Sequence, residues 1–157
     1  MRASGFTAIE LLLVIALTAV MAGLVSLPLS LLQSNAGLTS SIGSTVDALR
    51  RVQTQAMSGY YGADWGVHFS TAAGCSLPTK RIWTFESNAF DSASDTSTAI
   101  DLPNGAKITA LGIGGGCDVK FARFAGSTTS TGTVTVTDAN GFSKNVSINS
   151  YGRIAPP

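Results

Sequence analysis

One stretch decides how this chain is organised: Gly5-Phe6-Thr7-Ala8-Ile9-Glu10, followed by the apolar run from Leu11 to Leu32. No Asp, Glu, Lys or Arg occurs between Leu11 and Val46, and the start of that interval is almost entirely Leu, Val, Ile, Ala and Met. A helix over residues 6–27 would be about 33 Å long at about 1.5 Å per residue, enough to cross the hydrocarbon of a bilayer. The pattern therefore predicts a long transmembrane helix.

Glu10 is the one carboxylate at the start of this predicted helix. An unpaired charge at membrane depth costs about 3 kcal/mol or more, so Glu10 must lie at the interface or meet a cationic partner. An ordinary secretory signal peptide has an apolar core of about 7–15 residues and no acid just before it. The longer run and the position of Glu10 favour a different kind of segment.

This N-terminal stretch resembles the signal of type IV pilins and type II secretion pseudopilins. In that family a short basic leader ends in Gly, a dedicated peptidase cleaves after it, and the next residue, usually Phe, is N-methylated. The resemblance implies a prepilin leader of residues 1–5, cleavage between Gly5 and Phe6, and N-methylation of Phe6. It further implies that residues 6–35 form the transmembrane and assembly helix and that residues 36–157 form an extracytoplasmic domain.

The resemblance also gives Glu10 a role in assembly. Cleavage would free an ammonium group on Phe6 at the N-terminal end of a helix, where a carboxylate is favoured. Glu10 lies one helical turn further on, so it could neutralise the ammonium of its own chain or that of a neighbouring subunit. The sequence leaves both pairings open.

Charge and compartment follow from the same reasoning. The positive-inside rule places the Arg2 end in the cytoplasm and the rest of the chain outside. Together with this orientation, the resemblance implies a single-pass protein of the bacterial inner membrane with a periplasmic domain, later part of a pilus or pseudopilus. The formal net charge of the chain is only +1, and no polybasic patch favours nucleic acid. Residues 36–157 suffice for one small domain.

Cys75 and Cys117 both follow the predicted anchor. Outside the membrane, an isolated pair predicts a disulfide, which would close a loop of about 40 residues and stabilise the domain by about 4 kcal/mol. Two buried free thiols are the alternative.

The remaining sequence predicts an α+β fold, in which the long N-terminal helix packs on a small globular domain of antiparallel β-sheet. Apolar residues continue at helical spacing from Ile42 to Tyr60, which predicts an amphipathic helix over 38–60. From residue 64 to 155 the pattern is typical of strands and turns. Predicted strands are Trp65–Phe69 (half-buried), Lys80–Glu86, Val119–Phe124 and Tyr151–Ile154, with hairpins around Pro103-Asn104-Gly105 and Asp138-Ala139-Asn140-Gly141.

Two downstream segments are similar to the GspH/FimT-type minor pilins and pseudopilins. Ala48 to Met57 followed by Trp65 to Phe69 looks like their opening helix and strand, and Ile148 to Ile154 resembles their closing strand. The resemblance implies a structural subunit of a type IV pilus or type II secretion filament. Its partners would be other pilin or pseudopilin subunits, a prepilin peptidase, an inner-membrane assembly platform and, before assembly, the membrane.

The sequence offers no catalytic, cofactor-binding or metal-binding constellation. His68 is the single histidine, and the glycines at 112–116 lack the Lys-Ser/Thr of a phosphate loop. The chain is therefore predicted not to be an enzyme.

An alternative function is a DNA-binding minor pilin for natural transformation. Relatives with this function use a Gly-Arg-x-Arg tail. In this chain Arg153 matches the first arginine of that tail, but Ala155 takes the place of the second. Lys144 and Arg153 alone would contact DNA weakly.

Overall fold

The computed structural model describes residues 6–71, 75, 80–86, 90–91, 97–114 and 116–157, and its description of side chains leaves out residues 24–35 and Asn104. The helix α1 is assigned to Ala8–Ser58. The chain divides into two compact units, Met1–Asn35 (unit 1) and Ala36–Pro157 (unit 2), and each is considered by itself. The predicted leader, residues 1–5, lies outside the described residues.

Among the described residues, no helix is both long enough and apolar enough to traverse a bilayer. In unit 1 the described side chains of α1 cover residues 8–23, which is about 24 Å of helix where a bilayer core needs about 30 Å. In unit 2 the helical residues 36–58 include Asp47, Arg50 and Arg51. The predicted transmembrane helix, the fold class built on it and the single-pass inner-membrane localisation are therefore wrong.

Unit 2 is rich in sheet. Within the described residues, two antiparallel sheets of four strands each follow the helix, in the orders β3-β2-β1-β5 (sheet A) and β4-β6-β7-β8 (sheet B). In chain order the strands are β1 (Trp65–Phe69), β2 (Arg81–Glu86), β3 (Thr98–Asp101), β4 (Lys107–Ile113), β5 (Asp118–Phe121), β6 (Gly132–Thr137), β7 (Ser143–Ile148) and β8 (Ile154–Ala155).

Of the two predicted hairpins, one is confirmed and one is wrong. β6 and β7 pair antiparallel across the turn at 138–142, with Thr137 opposite Ser143. The segment Pro103–Gly105 instead forms a 3-10 turn that leads from β3 in sheet A to β4 in sheet B. The strands flanking this turn take distant partners, because Ile100 lies opposite Ile82 and Ile108 lies opposite Val136.

One hydrophobic core joins the helix to both sheets. The predicted apolar stripe of α1 is confirmed from Ile42 to Ala56. It does not extend further, because Met57 in the last turn of α1 is 44% exposed and Tyr60, beyond the helix end at Ser58, is 49% exposed. The cluster contains residues from three sources: Leu38, Ile42, Val46, Leu49, Val52 and Ala56 of α1; Val67, Phe69, Ile82, Val119 and Phe121 of sheet A; and Ile108, Val134, Val136, Val146, Ile148 and Ile154 of sheet B.

Every residue of β1 is buried, so the expectation of a half-buried strand is wrong. Aromatic rings cover the face of the strand that the core does not. Phe85 lies over Gly66, and Phe90 stacks on His68 with the ring centroids 4.0 Å apart. A side chain at position 66 would collide with the Phe85 ring, which explains the glycine.

A single amide ties α1 to two distant turns. Gln53 Nε2 donates to the carbonyl oxygens of Gly126 and Gly152, each at 2.9 Å. Gly152 has a φ of 75°, and a Cβ there would collide with both the Gly126 carbonyl and the Gln53 amide. The helix, the turn after β5 and the turn before β8 are thus held at one point.

We expect Gly66→Ala to lower the free energy of unfolding by about 1–3 kcal/mol, because an added methyl group must displace a packed ring. The Cβ would lie 2.8 and 2.9 Å from two carbons of Phe85 and closer still to a third. Denaturant unfolding followed by circular dichroism measures the change.

Gly43→Ala is the matched control, because nothing lies within 4 Å of a Cβ at this helical position. This variant should gain about 0.5–1 kcal/mol from helix propensity. Equal stability of the two variants would contradict the packing of Phe85 against Gly66.

Candidate functional site

The N-terminal end of α1 carries the residues to which the sequence assigned processing and assembly. Phe6 is 79% exposed, and Glu10 lies exposed in the first turn of the helix. The carboxylate oxygen Oε2 of Glu10 accepts hydrogen bonds from the backbone N–H of Thr7 at 3.5 Å and from its hydroxyl at 3.4 Å. Gly5 lies outside the described residues.

These contacts give Glu10 a structural role that the sequence analysis missed. Thr7 precedes the first helical residue and Glu10 is the third, which is the spacing of a capping box. The Thr-x-x-Glu pattern in residues 7–10 was the signal that could have revealed it. A carboxylate here also interacts favourably with the positive end of the helix dipole.

The described part of α1 in unit 1 presents its apolar side chains to solvent all round. Each of these residues is at least half exposed, from 50% at Val14 to 75% at Ile9. No acid or base follows Glu10 in this stretch. The exposed residues are Ile9, Leu11, Leu12, Leu13, Val14, Ile15, Leu17, Val20 and Met21.

The disulfide between Cys75 and Cys117 is confirmed. Cys75 is buried, and the carbonyl of Cys117 accepts the backbone N–H of Phe69 at 2.8 Å. The bridge therefore lies where β1 ends and β5 begins.

Lys144 and Arg153, the predicted weak DNA contacts, are both exposed. Lys144 lies near the start of β7, whereas Arg153 pairs with Asn149 just past the end of that strand. Five residues of extended chain separate Lys144 from Asn149, or about 17 Å at about 3.4 Å per residue. The structure does not bring these two cations together.

His68 forms a partly buried pair with Asp118. Its Nδ1 lies 2.6 Å from Asp118 Oδ1, which joins β1 to β5. Phe90 lies flat against the imidazole, at 10° between the ring planes. This arrangement packs and orients the histidine as a link between strands. Within the described part of the chain, no cluster of three or more His, Cys, Asp or Glu could hold a metal ion.

An exposed aromatic cluster lies where α1 ends, and the sequence analysis missed it. Tyr61 is 73% exposed and Phe124 is 66% exposed. Both have left-handed backbones, with φ values of 54° and 63°. A bulky residue in this region costs about 1–3 kcal/mol, and such strain is concentrated at functional sites.

The cluster consists of Tyr60, Tyr61, Arg123 and Phe124, and several contacts fix these residues. The backbone N–H of Phe124 donates to the carbonyl of Ala56 at 3.0 Å, and the guanidinium of Arg123 lies 4.4 Å from the centre of the Phe124 ring. The rings of Tyr60 and Tyr61 are 4.2 Å apart. Their hydroxyls are 3.3 Å apart, and this hydrogen bond to Tyr61 raises the pKa of Tyr60 above its ordinary value of 10.0.

No family model, curated protein or solved structure matches this chain. The resemblance to pilins and pseudopilins therefore stays a prediction from the residues of the N-terminal stretch and the two shorter segments downstream. Among the predicted site residues that the structure describes, Cys75 and Cys117, which were predicted from their isolated pairing outside the membrane, are the two that it joins.

Replacing both Cys75 and Cys117 with Ser should lower the free energy of unfolding by about 4 kcal/mol, because the bridge spans 42 residues and restricts the unfolded chain. Chemical denaturation under non-reducing conditions measures this loss. As a control, the wild-type chain unfolded in excess reductant should show the same loss. Unchanged stability in the double variant would contradict a structural role for the bridge.

Proposed function

We propose that this chain is a structural subunit of a pilin- or pseudopilin-type filament, assembled through the N-terminal part of α1. The observation that carries the proposal is the apolar helical surface of residues 8–23, which is exposed on every face. Contiguous exposed apolar surface of this kind is typical of a surface that other chains cover.

The free energies of burial and association favour a helix that contacts several neighbouring copies over a helix that contacts one. Burying a Leu, Val or Ile side chain stabilises a complex by about 1.5–3 kcal/mol, and association costs about 4–15 kcal/mol. A single neighbour can cover only one side of a helix that is apolar all round. In a bundle of parallel copies each helix contacts several others, so most of the exposed residues contribute.

Glu10 gives such a bundle a register. If a peptidase cleaves between Gly5 and Phe6, the new ammonium and the Glu10 carboxylate form a complementary pair at one level of the helix. A buried ion pair of this kind is poor at adding stability, but a misaligned copy would leave both charges unpaired and so be disfavoured. The hydrogen bonds from Thr7 keep the carboxylate at the start of the helix.

Glu10→Gln tests this role, because Gln also serves in a capping box and removes only the charge. We expect the fraction of the chain recovered in filaments sheared from native cells to fall about tenfold or more, equivalent to a loss of at least about 1.4 kcal/mol. Immunoblots of the sheared and total fractions measure it.

Leu13→Glu should also abolish recovery, because it places a charge on the apolar surface. Thr39→Glu is the matched control, since Thr39 is an exposed helical residue of unit 2. Wild-type recovery of Leu13→Glu would refute assembly through this segment. Wild-type recovery of Glu10→Gln alone would refute the role of the charge.

Processing predicts that the native chain begins at Phe6 and carries an N-methyl group. Intact-mass spectrometry of the purified protein reads both features directly. Gly5→Leu should leave the leader in place, because the peptidase would no longer find a glycine before the cleaved bond. A native chain that still starts at Met1 would contradict the assignment to this class of subunit.

A further inference from the structure

The aromatic cluster of unit 2 adjoins a polar cleft. Asp64 connects the two, because its carboxylate accepts the backbone N–H of Arg123 at 3.3 Å and also lines the cleft. The cleft has a volume of about 470 Å³, within the range of about 300–1,000 Å³ typical of small-ligand sites. Its other lining residues are Lys120, Phe121, Ala122, Ser127, Thr128 and Thr129.

The backbone that carries the two exposed rings is fixed by hydrogen bonds. Trp65 Nε1 donates to the carbonyl of Tyr60 at 3.2 Å, and Arg123 Nη1 donates to the carbonyl of Gly62 at 2.9 Å. The turn that carries Phe124 is closed at 2.8 Å by two backbone hydrogen bonds, Ala122 N–H to Ser127 and Gly126 N–H to Ala122. The rings of Tyr61 and Phe124 are therefore presented to solvent by a fixed backbone rather than by loose loops.

Packing explains the two left-handed residues only in part. The Phe124 ring lies against Gly59, with the Arg123 guanidinium over it, and the Tyr61 ring contacts Tyr60. Both rings nevertheless remain mostly exposed. Asn or Gly adopts this backbone region with much less strain, whereas Tyr and Phe are among the residues it suits least. The two side chains are also among the most exposed large apolar groups of unit 2. A ring that is held in a strained backbone and left in solvent is best accounted for by something that binds to the ring.

The chemistry around the rings selects the ligand. Asp64 lines the cleft with Lys120 and accepts the backbone N–H of Arg123, so a carboxylate opposes the two cations. The site therefore lacks the converging positive charge that a nucleic-acid backbone requires. Proline-rich peptides bind grooves lined by aromatic residues, whereas this cleft is lined by hydroxyl and charged groups. A sugar suits both the exposed rings and the polar cleft. Its C–H faces stack on the negative face of an aromatic ring, and its hydroxyls form hydrogen bonds with polar side chains.

We infer that Tyr61 and Phe124, together with the cleft beside Asp64, form a binding site for a neutral oligosaccharide. The rings stack on the flat faces of one or two sugar units. The cleft takes the hydroxyls of a neighbouring unit. This activity is separate from assembly, because the site lies in unit 2 and the assembly segment lies in unit 1.

Isothermal titration calorimetry of the purified full-length chain with chitotetraose, cellotetraose and maltotetraose tests the inference. At least one of these tetrasaccharides should bind the wild-type chain. Tyr61→Asn should weaken that binding about tenfold or more, which corresponds to about 1.4 kcal/mol. Because Asn tolerates the left-handed backbone, the melting temperature of this variant should equal or exceed that of the wild type.

Phe142→Ala is the matched control, since Phe142 is 51% exposed on the β6–β7 turn and belongs to no part of the site. It should bind the sugar as tightly as the wild type. A fifteen-nucleotide oligo-dT and a decaproline peptide are titrated in parallel. Failure of all three sugars to bind, sugar binding that Tyr61→Asn leaves unchanged, or binding of either comparison ligand in place of sugar would each overturn the inference.

Discussion

The buried stripe of α1 is the contact on which unit 2 depends. Val46, Leu49 and Val52 are at most 6% exposed, and they belong to the same cluster as the inward-facing residues of both sheets. An isolated helix of this length is marginal in water, and a small sheet needs a covered apolar face to be stable. Helix and sheets therefore stabilise each other, and the ends of these elements fix the positions of the disulfide and the aromatic cluster.

The two stretches of α1 use similar residues in different patterns. In unit 2 the apolar residues occupy one face, with Asp47, Arg50 and Arg51 exposed elsewhere on the helix, so the chain can bury that face against its own sheets. In unit 1 the apolar residues surround the helix and are exposed. A helix with one apolar face can bury that face within a single molecule. A helix that is apolar all round is best buried by contact with several molecules. This difference is the physical basis of the proposal that unit 2 folds on its own core while the helix of unit 1 serves in assembly.

Local patterns in the sequence predicted local structure well. Alternation located β1, the turn residues at 138–141 located the β6–β7 hairpin, and helical spacing located the buried stripe of α1. The choice of strand partner was beyond the sequence, because the residues at 103–105 suit a hairpin turn and a link between sheets equally. The long apolar run predicted a helix that crosses a bilayer, but no helix among the described residues is long and apolar enough to do so. The cluster at Tyr61 and Phe124 could not be predicted, since its backbone runs against the preferences of both residues.

Gln53 links positions that are far apart in the chain. Its amide donates to carbonyls 73 and 99 residues away, and the glycine at 152 is close-packed against both the amide and its other acceptor. Glutamate at 53 could not donate, and a side chain at 152 would push the amide away. Positions 53, 126 and 152 are therefore expected to evolve as a correlated trio. Such a trio would mark distant relatives of this domain even where strands and loops have diverged beyond recognition.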